Sequence, residues 1–86
     1  MLVKQMQSNK GNFIANQFII NERDKTMFQS YDRIIAEKGI QGVKLDKNYW
    51  DYSRTTGKYR NIFLGETKKE TEKKIKNGEY TLTNLN

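Results

Sequence analysis

Five of the chain's ten aromatic side chains, Tyr49, Trp50, Tyr52, Tyr59 and Phe63, fall in the single stretch YWDYSRTTGKYRNIFLG, Tyr49 to Gly65. A chain of 86 residues forms one domain and buries only about 60–65% of the surface its unfolded form exposes. Its core is therefore small, and any fold it adopts has to be organised around this stretch. With Ser53 or Asp51 as N-cap and Gly65 at C′, the stretch reads as a helix from about 53 to 64. At about 100° per residue, Tyr52, Tyr59 and Phe63 share a face flanked by Thr55 and Ile62, and Arg54, Lys58 and Asn61 project opposite. Gly57 costs such a helix about 1 kcal/mol relative to alanine, and Thr55 and Thr56 are poor helix formers. The aromatic face has to supply the stability that propensity does not.

The rest of the chain is read around that helix. Thr67 to Glu70 is a T-x-x-E capping box opening a second helix, about 68–77. Glu70–Lys74 and Glu72–Lys76 stand at i,i+4 with the glutamate first, each pair contributing about 0.2–0.5 kcal/mol. Only Ile75 is apolar, so this helix is mostly solvated. Asn77-Gly78 ends it, and Glu79 to Leu82 reads as a last strand with Tyr80 and Leu82 inward. Upstream, Asn12 to Asn21 is β-favouring, with Ile14, Phe18 and Ile20 on one face interrupted by Asn16. Asn21 to Lys25 is a charged turn to the next strand. Thr26 to Glu37 fits a helix (Met27, Phe28, Tyr31, Ile34, Ile35) and also an extended strand. The glycine-flanked turn Gly39–Gly42 and the alternating Val43–Asp46 favour a hairpin pairing Arg33–Glu37 with Val43–Asp46. Met1 to Gly11 reads as a polar N-terminal arm, or a short first strand from Leu2 to Met6. The expected fold is α+β: a small antiparallel sheet of three to five strands, two consecutive helices (about 53–64 and 68–77) before the last strand, and residues 12–86 as a single domain after the arm 1–11.

The chain has no cysteine and no histidine, which removes disulfides, thiolate metal sites and the commonest general base and zinc ligand together. No 18-residue apolar run and no signal-peptide core are present, so a cytoplasmic protein with no membrane partner is expected. Gly57-Lys58 evokes a phosphate loop, but G-x-x-x-x-G-K-[ST] needs glycine at 52 and a hydroxyl at 59, and both are tyrosine. Tyr49 and Tyr52 lack the histidine-held metal that a nicking tyrosine pair uses. Asp46 and Asp51 are better read as salt-bridged or capping carboxylates than as magnesium ligands. Glu70 and Glu72 are helix-surface charges. No nucleophile has a plausible base. The expectation is a non-enzyme with no catalytic, cofactor or metal residues.

What remains is binding. The net charge is +6, from 16 basic and 10 acidic residues, which attracts polyanions and also serves solubility. Tyr49, Trp50, Arg54, Lys58 and Arg60 are the candidates for a stacking and phosphate-contact surface. Lys68, Lys69, Lys73, Lys74 and Lys76 form a second basic cluster on the second helix, in which Lys69, Lys73 and Lys76 share a face.

From Phe28 onward the chain resembles a family of short proteins of phages, plasmids and integrated elements in Gram-positive (Firmicute) bacteria. The matching residues are FQSY (Phe28–Tyr31), IIA (Ile34–Ala36), LD (Leu45–Asp46), YWDYSRTTGKYRNIFLGE (Tyr49–Glu66) and the tail ETEKKI…GEYTL…LN. WDYS…TTGKYRN…FLG is the specific part. Members carry a strand–turn–strand where this chain has IIAEKGIQGVKLD, which favours the hairpin. The resemblance implies a mobile-element setting, in which small proteins act as regulators, DNA-handling accessories or inhibitors of host defence, anti-CRISPR proteins included. Two functions follow as expectations. One is inhibition or modulation of a host nucleoprotein or defence complex, such as a Cas9-type nuclease. The other is direct binding of DNA or RNA as an accessory protein. The interleaving in Lys-Lys-Glu-Thr-Glu-Lys-Lys leans toward a protein partner.

Overall fold

The computed structural model describes residues 1–86. In chain order the elements are β1 (Leu2–Gln7), β2 (Phe13–Asn21), β3 (Lys25–Ser30), β4 (Arg33–Gly39), β5 (Gly42–Asp46), α1 (Arg54–Leu64), α2 (Lys68–Lys76) and β6 (Tyr80–Thr83). All six strands form one sheet in the order β1-β2-β3-β4-β5-β6. The first four pairings are antiparallel and β5–β6 is parallel.

This corrects the expected fold. The sheet has six strands rather than three to five, and it is mixed rather than antiparallel. Parallel neighbours need a long crossover, and the α1–α2 unit between β5 and β6 is one; the sequence reading placed the helices without asking which way they returned the chain. The sixth strand comes from the N-terminal segment. Leu2–Gln7 is hydrogen-bonded along β2 from Leu2↔Asn21 to Gln7↔Phe13. Its turn is closed by Ser8, whose hydroxyl accepts from the backbone of Lys10 and Asn12, and by Gly11 at φ 82°. Of the two expectations for this segment, a polar arm or a first strand over Leu2–Met6, the strand holds; an edge strand at the end of a sheet needs little apolar content.

The ambiguous stretch 26–37 is neither a helix nor one strand: β3 and β4 pair antiparallel across a tight turn at Tyr31–Asp32, with Tyr31 at φ 58°. Asn16, the polar interruption in β2, has φ 65°, and its carbonyl accepts from Tyr31 N at 2.7 Å. Asparagine tolerates this left-handed conformation better than most side chains.

The core lies between the sheet and α1. Phe28, Ile35, Ala36, Leu45 and Phe63 form its fully packed cluster. Ile19, Phe28, Ala36, Leu45 and Leu82 occupy one cross-strand row. The Phe28 and Phe63 rings stack at 5.8 Å. Tyr49, Trp50, Tyr59, Leu64, Ile75 and Tyr80 pack around this cluster, each half-buried. Lys38 of β4 crosses the Phe63 ring at 4.3 Å and donates to the Phe63 carbonyl at 2.9 Å, tying α1's last turn to the sheet.

Candidate functional site

The site begins with the loop that delivers α1. Asp46, at the end of β5, is fully buried and has no cationic partner. Its Oδ2 accepts from the backbone N of Asn48 and Tyr49, and its Oδ1 from Leu85 N and the Asn86 amide. Burial pushes its pKa up, but these hydrogen bonds outweigh that and hold it below the usual carboxylate range. Asp46 thus ties the loop leading to Trp50 to the C-terminal tail, and both of its oxygens are committed to that task. The Ser53 hydroxyl then caps α1 by accepting from Thr56 N at 3.1 Å. Thr56, completely buried, is also bonded to Ser53 Oγ and to Ser30 Oγ of β3.

These anchors rotate α1 away from the expected orientation. The buried positions are Thr56, Gly57, Arg60 and Phe63, whereas Ile62, expected to flank the inner face, is 58% exposed. Tyr52 lies before the helix and sits edge-on to Tyr49 at 5.6 Å. Arg60 is the decisive residue. It is 1% exposed, its guanidinium stands 5.1 Å from the Trp50 ring, and Nη1 donates to the Trp50 carbonyl (2.8 Å) and Asp51 Oδ1 (2.9 Å). Nη2 donates to Asn61 Oδ1 at 3.0 Å. Asp51 Oδ2 in turn meets Lys68 Nζ, at the start of α2, at 2.7 Å. Burial raises the Asp51 pKa, but the hydrogen bonds from Lys68 and Arg60 overcome this and keep it low. The carboxylate raises the Lys68 pKa reciprocally.

Around this ion network lies an open cleft of about 620 Å³, lined by Asp51, Ser53, Arg54, Gly57, Lys58, Arg60, Asn61 and Lys68, none of them apolar. Four cations face one carboxylate there. Neither Arg54 nor Lys58 makes a salt bridge, and Lys58 Nζ rests 5.3 Å from the Tyr59 ring.

The structure therefore brings together some of the expected binding residues and separates others. Arg54 and Lys58 are exposed and converge on the cleft. Arg60 is also there, but inside the protein, as the counter-ion of Asp51 rather than a surface contact. Trp50 is half-buried beneath Arg60. Tyr49 is half-buried with the Arg33 guanidinium 4.8 Å from its ring. Each of these rings carries an arginine of its own chain over one face. Lys69, Lys73 and Lys76 are exposed on the outward side of α2, turned away from its buried Thr71 and half-buried Ile75. Sequence reasoning missed Ser53, Asn61 and Lys68 as cleft residues. Gly57 carried a readable signal, a glycine inside a helix that it weakens.

On the far side of α2, Glu66 plays the part that Asp51 plays here. It accepts from Lys74 Nζ (2.8 Å), Tyr80 OH (2.7 Å) and the Thr71 hydroxyl, joining the α1–α2 turn to α2 and β6.

Fold and site define a small α+β domain with a six-stranded mixed sheet and one basic, wholly polar cleft at the junction of its two helices. The chain belongs to a family of unknown function (DUF8033), whose model matches residues 1–79. That span takes in the N-terminal 27 residues that the resemblance by motif left out. No curated protein and no solved structure matches the chain. No helix is long and apolar enough to cross a membrane.

Proposed function

We propose that the chain is a non-catalytic binding protein that engages nucleic acid, free or as part of a host nucleoprotein, through contacts to phosphate. The observation that carries this reading is the pair Arg54 and Lys58, exposed, without carboxylate partners, and set on a cleft where cations outnumber carboxylates four to one. Cations so placed gain by releasing counterions from a polyanion. The resemblance to proteins of phages, plasmids and integrated elements supplies the setting, the cytoplasm of a bacterial host.

A second reading rests on α2. Lys69, Lys73 and Lys76 are interleaved with Glu70 and Glu72 instead of forming a continuous basic stripe. Such a surface suits a mixed protein–RNA partner and keeps the anti-CRISPR-like reading, inhibition of a Cas9-type nuclease complex, in play. Both readings are tested by fluorescence anisotropy of labelled DNA and RNA at two salt concentrations, followed by a pull-down against Cas9 with and without guide RNA. Salt-sensitive binding to bare oligonucleotides supports the first. Capture of the Cas9 complex without oligonucleotide binding supports the second. Binding to neither the oligonucleotides nor the Cas9 complex would discard both.

A further inference from the structure

The geometry points to a narrower assignment: the cleft between the first half of α1 and the start of α2 is a phosphate-binding subsite, with Arg54, Lys58 and Lys68 as its cations and Gly57 in its floor. The assignment rests on the reading that the partner is anionic, and it names one place and one chemical group within it.

Four observations converge. The lining holds no apolar or aromatic residue, so the cleft recognises charge and hydrogen-bonding capacity and offers no face for a base to stack on. Its one carboxylate, Asp51, is already bonded to Arg60 and Lys68, which leaves Arg54 and Lys58 to be neutralised from outside. Arg60, buried in the cleft wall, keeps its Nε–H without an acceptor anywhere in the chain. Nε shares one edge of the guanidinium with Nη2, whose acceptor Asn61 is itself part of the lining. A buried unpaired donor calls for an acceptor, and for a cationic donor an anionic oxygen is the strongest one.

The fourth observation is Gly57. Its φ is not left-handed, so backbone conformation does not require glycine, and glycine weakens a helix interior. A Cβ there would lie 3.6 Å from Arg60 Nη2 and 3.7 Å from Arg60 Nη1 and Asp51 Oδ1, ordinary van der Waals contact. Alanine therefore fits the fold, but its methyl group would sit over the guanidinium that forms the floor. Glycine leaves the space beside the guanidinium free of a side chain.

The test titrates pyrophosphate into the ¹⁵N-labelled protein and follows the amides of residues 53–61 and the Arg60 Nε–H by NMR. The same titration is run on Gly57→Ala, Lys58→Ala and the triple variant Lys69→Ala/Lys73→Ala/Lys76→Ala. The expected result is saturable shifts at 53–61 and at Arg60 Nε. Gly57→Ala and Lys58→Ala should each weaken binding roughly tenfold, the loss of about one charge-assisted hydrogen bond. The triple variant should change it by less than about twofold, because its exposed charges are screened from the cleft. Lys58 is exposed, so its variant still decides the matter if Gly57→Ala does not fold. Wild-type affinity in both cleft variants overturns the subsite. Labelled oligonucleotides with and without a 5′-phosphate form the second arm. Oligonucleotide binding that survives Gly57→Ala and is lost in the triple variant overturns the cleft and leaves the anionic-partner reading intact. Pyrophosphate binding without oligonucleotide binding keeps the cleft, makes a free oligophosphate its ligand and overturns the nucleic-acid reading. Failure of the wild type to bind either probe at low salt overturns both.

Discussion

Two buried side chains divide the labour of structure and function most sharply. Arg60 looks from sequence like one of three basic residues on a helix surface, and the structure spends it on Trp50 and Asp51. Asp51→Ala should therefore destabilise the fold by about 3–5 kcal/mol in urea denaturation, since it strands a buried guanidinium; a loss under about 1 kcal/mol would mean that Arg60 escapes to solvent. Lys58→Glu should leave the melting temperature near wild type and abolish salt-sensitive oligonucleotide binding. A marked drop in melting temperature would place Lys58 in the fold instead. Gln17 is the contrasting case. It is fully buried in β2, and neither amide atom finds a partner in the chain. Gln17→Met should stabilise by roughly 1–3 kcal/mol by removing that unpaired polar group, and a lowered melting temperature would show that the amide is satisfied in solution. The reason Arg60 was illegible lies at this scale. Helical spacing says which residues share a face, but Asp51, Trp50 and Ser30 decide which face turns inward, and they lie outside the helix.

At the scale of elements, the local signals were the legible ones. Ser53 and Gly65 cap α1 and the Thr67–Glu70 box opens α2, as the residue types require. The β4–β5 hairpin follows from its glycines, with Gly42 at φ 109°. What spacing could not supply was direction and pairing, such as the parallel return of β6 beside β5 or the recruitment of β1. These depend on which edges are left open once every other element is placed. α1 gives up helix stability at Gly57, a buried position that packs against the Asp51–Arg60 pair. Gly57→Ala should raise stability by about 1 kcal/mol, read from the urea midpoint at unchanged m-value. A fall would mean that the methyl group disturbs the Asp51–Arg60 pair.

For the whole molecule, three carboxylates tie separate regions together: Asp46 the sheet to the C-terminal tail, Asp51 the loop and α1 to α2, and Glu66 the interhelical turn to α2 and β6. Burial raises the Glu66 pKa, but the hydrogen bonds from Lys74, Thr71 and Tyr80 outweigh it, so all three have pKa values lowered by folding. A lowered folded-state pKa means the ionised form is favoured in the fold. The stabilisation is fully present above the unfolded value, about 4, and is lost as pH falls through the folded values. Lys68 and Lys74, raised by their carboxylate partners, and Tyr80, raised by burial and by Glu66, act at the other end. Their contribution is present below their unfolded values, about 10, and is lost as pH rises through the folded ones. The melting temperature should hold a plateau between about pH 5 and 9 and fall on both sides. An acid limb that Glu66→Gln and Asp46→Asn leave unaltered would contradict this account.

The role proposed for the α1–α2 cleft is to bring cations to phosphate. Its most direct measurement is the affinity for a short labelled oligonucleotide as a function of salt. With Arg54, Lys58 and Lys68 engaged, log K should fall against log[salt] with a slope of about −2 to −3, shallower by about one unit in Lys58→Ala. No binding at low salt, or a slope that Lys58→Ala leaves unchanged, would contradict the claim.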